Sequence, residues 1–269
     1  MATPDPAAIE AAVVEVVRRA GEAILTVYRS EDFGTTAKAD DSPLTLADLA
    51  AHRLITAALA ALTPDIPVLS EESATRSFEE RRRWTTYWLV DPLDGTKEFL
   101  ARNGEFTVNV ALISGNDPVL GVVGVPAHGI IYSGIPGRGA TRSGAGEAPV
   151  PVGVRVPAAD PVRVVGSRSH RGDSLDAFLS RLGPHQLVPV GSALKFCLVA
   201  EGGADVYPRL GPTSEWDTAA AQAVLVAAGG QVVTLDGEPL RYNTKADLRN
   251  PFFVASGDAR RNWAALVRG

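Results

Sequence analysis

Two aspartates, Asp91 and Asp94, stand three positions apart at the end of the apolar run 87–90. A proline between them and a glycine directly after them predict a tight turn between a strand and a helix. Two carboxylates held this close repel each other unless cations neutralise them. Gly95 and Thr96 would begin a helix whose free backbone N–H groups can receive a phosphate. The pattern therefore indicates metal-assisted chemistry on a phosphate.

Further oxygen donors are needed, because Mg²⁺ prefers octahedral coordination by oxygen. Glu71 follows the apolar run 66–69 and could point into the same crevice as Asp91. Asp217 begins a long predicted helix in the second half of the chain, but it also stands three residues after Ser214, which is the spacing of a capping box. As ligands, the four carboxylates could hold two metal ions about 4 Å apart and clamp the attacking and leaving oxygens of phosphate hydrolysis.

The composition limits the classes of function. The chain has 269 residues, of which 45% are hydrophobic and 21% charged, as is typical of a globular protein with a sizeable core. A formal charge of −5 argues against nucleic-acid binding, since that function needs a basic surface. The single cysteine, Cys197, excludes an internal disulfide and a cysteine-based zinc site. Because neither a secretory signal nor an apolar run of roughly 20 residues is visible, we expect a cytoplasmic protein with a small-molecule substrate and no transmembrane segment.

Hydrophobic periodicity predicts the elements that position these carboxylates. Residues 6–29 and 45–62 have helical spacing, and five short apolar runs between residues 68 and 135 predict a largely antiparallel sheet. Residues 136–151 are rich in Gly, Pro and Ala and predict a loop or subdomain boundary. Beyond them the pattern is α/β. Strands are predicted at 162–165, 188–190 and 205–207, and helices at 174–182, 193–201 and 214–228.

We therefore expect two subdomains. Residues 1–150 would form an N-terminal α+β subdomain that carries most of the metal ligands. Residues 151–269 would form a C-terminal α/β subdomain that carries Asp217 and the residues that bind the substrate.

Three motifs in combination resemble the defining motifs of the inositol monophosphatase-type, lithium-sensitive, metal-dependent phosphatases. They are Glu71-Glu72, Asp91-Pro92-Leu93-Asp94-Gly95-Thr96 and Trp216-Asp217-Thr218-Ala219-Ala220. More narrowly, residues 38–43, 94–99 and 191–197 are similar to the bacterial CysQ branch, which comprises 3′(2′),5′-bisphosphate nucleotidases of sulfur metabolism. The resemblance covers essentially the whole chain. It implies an inositol monophosphatase-like layered αβαβα sandwich, of α+β or α/β class, and hydrolysis of 3′-phosphoadenosine 5′-phosphate to AMP and phosphate.

The resemblance also implies a role for each site residue. Glu71, Asp91 and the backbone carbonyl of Leu93 would hold one Mg²⁺, and Asp91, Asp94 and Asp217 would hold a second, with a third, weaker ion near Glu71. Asp40, together with Thr96, would orient or deprotonate an attacking water that the metal activates, and no covalent phosphoenzyme is implied. The residues implied in substrate binding are Glu71, Leu93, Asp94, Gly95, Thr96, Ser167, His170, Gly191, Lys195 and Asp217.

One departure from the family pattern bears on the substrate. Inositol monophosphatases carry a glutamate seven positions before the aspartate of the Trp-Asp pair, and here that position is Leu210, which argues against an inositol phosphate. Lys195 is a suitable point charge for a second phosphate, and Arg209 is a further candidate phosphate contact.

Two other functions stay open: an inositol or sugar monophosphatase on the same scaffold, and a non-catalytic nucleotide-binding relative. The sequence is compatible with a monomer or a homodimer. For this branch, peripheral attachment at the inner membrane is a further option besides the cytoplasm.

Overall fold

The computed structural model describes residues 3–30, 32–37, 43–74, 76–167 and 173–268. In these ranges the α-helices are α1 (Pro6–Tyr28), α2 (Leu46–Leu62), α3 (Phe78–Arg81), α4 (Thr96–Leu100), α5 (Asp173–Leu182), α6 (Leu194–Ala200), α7 (Ala219–Ala227) and α8 (Ala265–Arg268). The strands are β1 (Thr36–Ala37), β2 (Pro43–Leu44), β3 (Val68–Ser70), β4 (Thr86–Asp94), β5 (Thr107–Ser114), β6 (Asp117–Val125), β7 (Ile130–Ile135), β8 (Gly139–Ser143), β9 (Val150–Val152), β10 (Val162–Ser167), β11 (His185–Val190), β12 (Val206–Arg209), β13 (Gln231–Thr234) and β14 (Phe253–Ser256). Short 3₁₀ helices lie at Glu71–Ser73, Pro126–His128 and Glu215–Asp217.

Two large β-sheets alternate with three layers of helices. The larger sheet has the order β3-β4-β5-β6-β7-β8-β9, and only its first pair, β3 and β4, is parallel among the described strands. The smaller sheet has the order β11-β10-β12-β14-β13 and mixes parallel with antiparallel pairs. Helices α1 and α2 cover one face of the larger sheet, α6 and α7 lie between the sheets, and α5 and α8 cover the outer face of the smaller sheet. The predicted αβαβα sandwich is confirmed.

Strand β4 is apolar up to its end because it is buried on both faces. Trp88 and Val90 pack in the core cluster of α1 and α2, whereas Tyr87 and Leu89 pack in the cluster of α6 and α7. Successive side chains of a strand point to opposite faces, so a strand covered on both sides has no position for a solvated residue. The aspartates that end β4 therefore lie where the protein interior meets the edge of the layers.

The first half of the chain folds as predicted up to β7. Asp5 caps α1 by accepting the Ala7 backbone N–H, and Thr45 with Asp48 forms a capping box at the start of α2. The larger sheet is antiparallel except for its first pair, as expected. Among the described residues, no helix is long and apolar enough to cross a membrane.

The predicted loop over residues 136–151 is wrong, because β8 and most of β9 fall inside it and extend the larger sheet. Strand β9 resembles a loop in sequence because it is an edge strand, where a proline such as Pro151 is tolerated and Val150 is 52% exposed. The helix expected over 214–228 is divided into the 3₁₀ turn Glu215–Asp217 and α7. Strands β13 and β14 and helix α8 lie beyond the last element that was predicted. The division into two subdomains at residue 150 stays a prediction.

Candidate active site

A β-bulge at the end of β4 brings Asp91 and Asp94 together. Asp91 pairs with Asn109 of β5 and Asp94 pairs with Thr107, so β4 takes one residue more than its neighbour between these pairs. In a regular strand, residues three apart point to opposite faces, and the extra residue removes that opposition. The backbone N–H of Leu93 donates to Asp91 Oδ1 at 3.0 Å inside the bulge. The local backbone thus lets both carboxylates serve one site.

Asp217 joins these two aspartates from the second half of the chain. One carboxylate oxygen of each of Asp91, Asp94 and Asp217 lies within 4.8 Å of the other two. Asp217 Oδ2 also accepts the backbone N–H of Ser214 at 2.8 Å, as part of the capping box of its 3₁₀ turn. Because a carboxylate has two oxygens, capping the turn does not prevent Asp217 from facing the cluster. Asp217 can therefore both cap its turn and act as a metal ligand.

Glu71 lies in the 3₁₀ turn after β3 and hydrogen-bonds to Asp91. Burial raises the pKa of Asp91 well above its ordinary value, and the charges of Glu71, Asp94 and Asp217 raise it further. Burial, followed by the charge of Asp94, raises the pKa of Asp217 in the same way. Such a group of carboxylates is unfavourable without a cation, and an all-oxygen donor set is what a hard divalent metal ion prefers. The residues present therefore fit a metal site.

The loop between β11 and α6 holds Asp94. Ser192 Oγ donates to Asp94 Oδ2 at 2.5 Å, and the Ala193 backbone N–H donates to the same oxygen at 2.6 Å. Ser192 has a φ of +56°, a left-handed conformation that is uncommon outside glycine. At Gly191 an added Cβ would lie 2.7 Å from Glu98 Cγ, so the backbone approaches too closely for a side chain. The strained loop is therefore built against the turn that carries Asp91 and Asp94.

A cleft of about 220 Å³ lies beside the carboxylates. Lys195, which is 6% exposed, lines it and donates from Nζ to the Ser192 carbonyl at 2.6 Å. Its ammonium lies 5.5 Å from the centroid of the Tyr207 ring. Burial lowers the pKa of Lys195 to about 8. The residues of the sequence prediction that line the cleft are Asp94, Gly95, Thr96, Lys195 and Asp217.

The end of β12 presents a cation to this cleft. Arg209 lines the cleft, and its Nη2 donates to the Pro212 carbonyl at 2.7 Å. The buried Nε of Arg209 has no hydrogen-bond partner among the described residues. Leu210, which replaces the glutamate of inositol monophosphatases, instead packs against the core cluster on the outer face of the smaller sheet. This part of the cleft therefore contains the guanidinium of Arg209 and no carboxylate from position 210.

The remaining predicted residues are placed as follows. Leu93 is buried within the bulge, and Gly191 donates its backbone N–H to Glu105 Oε2 at 2.9 Å. Ser167 ends β10, where its backbone pairs with Val190. Asp40 and His170 lie outside the described residues.

No sequence pattern indicated that Ser192 contacts Asp94. The only local signal is a Gly-Ser pair between a strand and a helix, which marks a turn without saying what the turn contacts. Its partner is 98 positions away in the chain, so only the fold shows the contact.

Known proteins resemble the chain along most of its length. The sequence profile of the inositol monophosphatase family matches residues 5–266. The 3′(2′),5′-bisphosphate nucleotidase CysQ of Escherichia coli O6:H1 (strain CFT073) is 50% identical over 245 residues, which cover 91% of this chain and 98% of that relative. The crystal structure of CysQ from Bacteroides thetaiotaomicron is 42% identical with a TM-score of 0.82, and the match covers 93% of this chain and 97% of that one. The inositol monophosphatase from Anabaena is 25% identical with a TM-score of 0.74, over 97% of this chain and 94% of that one.

Proposed function

The chain belongs to the inositol monophosphatase family, and we propose that it is a Mg²⁺-dependent 3′(2′),5′-bisphosphate nucleotidase of the CysQ type. The proposed reaction converts 3′-phosphoadenosine 5′-phosphate to AMP and phosphate. One observation carries the proposal: the carboxylates of Asp91, Asp94 and Asp217 meet beside a cleft that cationic side chains, Lys195 and Arg209 among them, also line. The carboxylates suit the reaction, and the cations suit a substrate with more than one phosphate.

The donor set supports a hard cation such as Mg²⁺, because it consists of carboxylate oxygens without histidine or cysteine among the described residues. Asp91, Asp94, Asp217 and Glu71 would hold the metal, with the carbonyl of Leu93 as a further oxygen, and the proposal includes two or three ions. When bound, the metal supplies positive charge to the phosphate oxygens and lowers the pKa of a water molecule.

The chain's own residues would orient the reactants. Thr96 lines the cleft directly after the metal-binding turn, so its hydroxyl is available to orient the attacking water. Asp40 is proposed, on the family resemblance alone, to accept the proton of that water. The backbone around Gly95, with a φ of +89° that favours glycine, leaves the start of α4 open to phosphate oxygens. Hydrolysis then transfers the phosphoryl group to water without a covalent phosphoenzyme.

The cations of the cleft support a bisphosphate substrate. The ammonium of Lys195 is held beside Asp94 through the Ser192 carbonyl, and it is available for the phosphate that is not cleaved. Arg209 adds a further positive charge in the same cleft. Ser167, His170 and Gly191 are proposed nucleotide contacts on the family resemblance.

An inositol or sugar monophosphatase is the second candidate, because the family profile and the fold are shared with such enzymes. The cation of Arg209 and the packing of Leu210 away from the cleft favour the nucleotide. A non-catalytic nucleotide-binding relative is disfavoured, since a binding module does not require the carboxylate cluster. We further propose a cytoplasmic protein that is a monomer or a homodimer. Peripheral attachment at the inner membrane has no support from the family match.

A phosphate-release assay on the purified chain tests the proposal. With Mg²⁺ present, 3′-phosphoadenosine 5′-phosphate should be hydrolysed far faster than inositol 1-phosphate. Preference for inositol 1-phosphate would favour the second candidate. Release from neither substrate, while a nucleotide still binds, would favour the non-catalytic relative.

A further inference from the structure

The 3₁₀ turn that carries Asp217 is held by the loop of residues 242–250. The backbone N–H of Glu215 donates to the Leu248 carbonyl at 2.8 Å. Asn250 Nδ2 donates to the Ser214 carbonyl at 2.7 Å, directly before the turn. The position of Asp217 therefore depends on this loop as well as on α7.

Glu215 is a buried carboxylate for which the proposed reaction has no use. It is 2% exposed, and each of its oxygens lies 2.9 Å from the backbone nitrogen of Asn243, whose N–H they accept. Asn243 has a φ of +55°, which few residues other than glycine adopt. A buried carboxylate is unfavourable unless hydrogen bonds satisfy its oxygens. The hydrogen bonds to Asn243 therefore tie Glu215, and with it the turn of Asp217, to the loop of residues 242–250.

Asn243 connects Glu215 to Arg81, which is 162 positions away in the chain. Arg81 Nη1 donates to Asn243 Oδ1 at 2.7 Å, and Asn243 Nδ2 donates to the Arg81 carbonyl at 2.7 Å. Arg81 is 2% exposed, and it also donates to the carbonyl of Ala246 at 2.9 Å. The pair is therefore reciprocal and buried.

Arg81 ends α3, the first helix after the 3₁₀ turn that carries Glu71. These contacts, from Arg81 through Asn243 to Glu215, therefore link two segments. The first follows the turn of Glu71 and the second is the turn that carries Asp217, and both of those residues are predicted metal ligands. The contacts do so without contributing an oxygen to the cluster itself.

We propose that Arg81, Asn243 and Glu215 are positioning residues for the metal site, which hold the turn of Asp217 at the correct distance from the aspartates of β4. The inference rests on the proposed function only for its activity measurement. Metal affinity depends on ligands that are already held in place. Loss of contacts that support the ligands typically weakens metal affinity about 10- to 100-fold. Loosening this network should weaken metal binding although every ligand is still present.

The decisive variant is Asn243→Gly in the full-length chain. Glycine adopts a positive φ without strain and keeps the backbone N–H for Glu215, but it removes both side-chain hydrogen bonds to Arg81. We expect calorimetric titration with Mg²⁺ alone to show about tenfold weaker binding, at the lower end of the range for supporting residues. The Mg²⁺ concentration for half-maximal activity should rise in parallel, while kcat at saturating Mg²⁺ stays close to that of the wild type. Glu215→Gln, which keeps one acceptor oxygen, should show a smaller change in the same direction, and it decides the test if Asn243→Gly does not fold.

Arg181→Met is a control for the loss of hydrogen bonds from an arginine to backbone carbonyls away from the cluster. Arg181 also donates to backbone carbonyls, those of Leu266 at 3.1 Å and Val267 at 2.9 Å, but it joins α5 to α8 in the outer layer. This variant should lower the Tm without changing Mg²⁺ affinity. If Asn243→Gly lowers the Tm but binds Mg²⁺ as the wild type does, the network is merely structural and the proposal is overturned. If the wild type fails to hydrolyse the bisphosphate, the proposed function fails, while the Mg²⁺ titrations still decide on the positioning role.

Discussion

Ser192 Oγ donates a hydrogen bond to Asp94 Oδ2 at 2.5 Å, and the two residues come from different sheets of the sandwich. Asp94 ends β4 of the larger sheet, whereas Ser192 follows β11 of the smaller one. The same carboxylate belongs to the cluster with Asp91 and Asp217. The candidate metal site is therefore also a junction between the two sheets, and changes in the junction should alter metal binding.

The first prediction separates the hydroxyl of Ser192 from its backbone strain. Ser192→Ala and Ser192→Gly both remove the hydrogen bond to Asp94, so both should weaken Mg²⁺ binding. Because glycine tolerates a φ of +56° and alanine does not, Ser192→Gly should be the more stable variant, by about 1 kcal/mol. Urea denaturation and Mg²⁺ titration of the same samples measure the two effects. Equal stability of the two variants would mean that the loop relaxes when the hydroxyl is lost.

The second prediction concerns Asp91, which is 1% exposed among other carboxylates. Asp91→Asn should nearly abolish turnover and leave the protein folded. The amide removes one negative charge from the cluster, so the Tm of the metal-free variant should equal or exceed that of the wild type. Addition of Mg²⁺ should raise the Tm of the wild type and have little effect on the variant. Retained turnover, or an unchanged response to Mg²⁺, would show that Asp91 is not a metal ligand.

The third prediction assigns Lys195 to the phosphate that is not cleaved. Lys195→Met keeps an unbranched chain and removes the charge. KM for 3′-phosphoadenosine 5′-phosphate should rise about tenfold or more, since a hydrogen bond to a charged group contributes about 1.5–3 kcal/mol. A nucleoside 3′-monophosphate lacks the second phosphate, so its kinetics should change little. Arg19→Met, which removes an exposed positive charge of α1 outside the cleft, is the control. An equal loss for both substrates would place Lys195 at the cleaved phosphate instead.

The fourth prediction concerns the pH dependence of stability at Asp258, away from the cleft. Hydrogen bonds from Arg260, followed by those from backbone N–H groups, hold the pKa of Asp258 well below its ordinary value of 3.8. A carboxyl group with a lowered pKa stabilises the fold above the pKa of the unfolded chain, and it loses this contribution as the pH falls toward the folded value.

Asp258→Asn should therefore lower the free energy of unfolding at pH 7. The expected loss is only about 1 kcal/mol, because Arg260 is exposed and solvent screens its charge. The difference from the wild type should shrink once the pH falls below 3.8, the ordinary aspartate pKa. Urea denaturation at about pH 7, 4 and 3 measures this difference in stability, because these values run from above the ordinary aspartate pKa to below it. A difference that grows on acidification would contradict this assignment.

The sequence indicated which acidic residues form the cluster better than it indicated their arrangement. Asp91 and Asp94 follow an apolar run and precede a glycine, so a local pattern indicated both the strand and its turn. The β-bulge between them depends on how β4 pairs with β5, which no local pattern records. Strand β9 was missed because edge strands tolerate the residues that otherwise mark loops. The contacts of Arg81 with Asn243 join distant parts of the chain, and only the folded structure could bring them together.

In the proposed reaction, the carboxylate cluster holds the metal that acts on one phosphate of a nucleotide bisphosphate, and the cations of the cleft bind the other. The most direct measurement is chromatographic identification of the nucleotide formed from 3′-phosphoadenosine 5′-phosphate, after metal removal with EDTA and again after addition of Mg²⁺. We predict no product without metal, and release of one phosphate with formation of adenosine 5′-monophosphate when Mg²⁺ is restored. Formation of adenosine 3′-monophosphate, or turnover that persists in EDTA, would contradict the account.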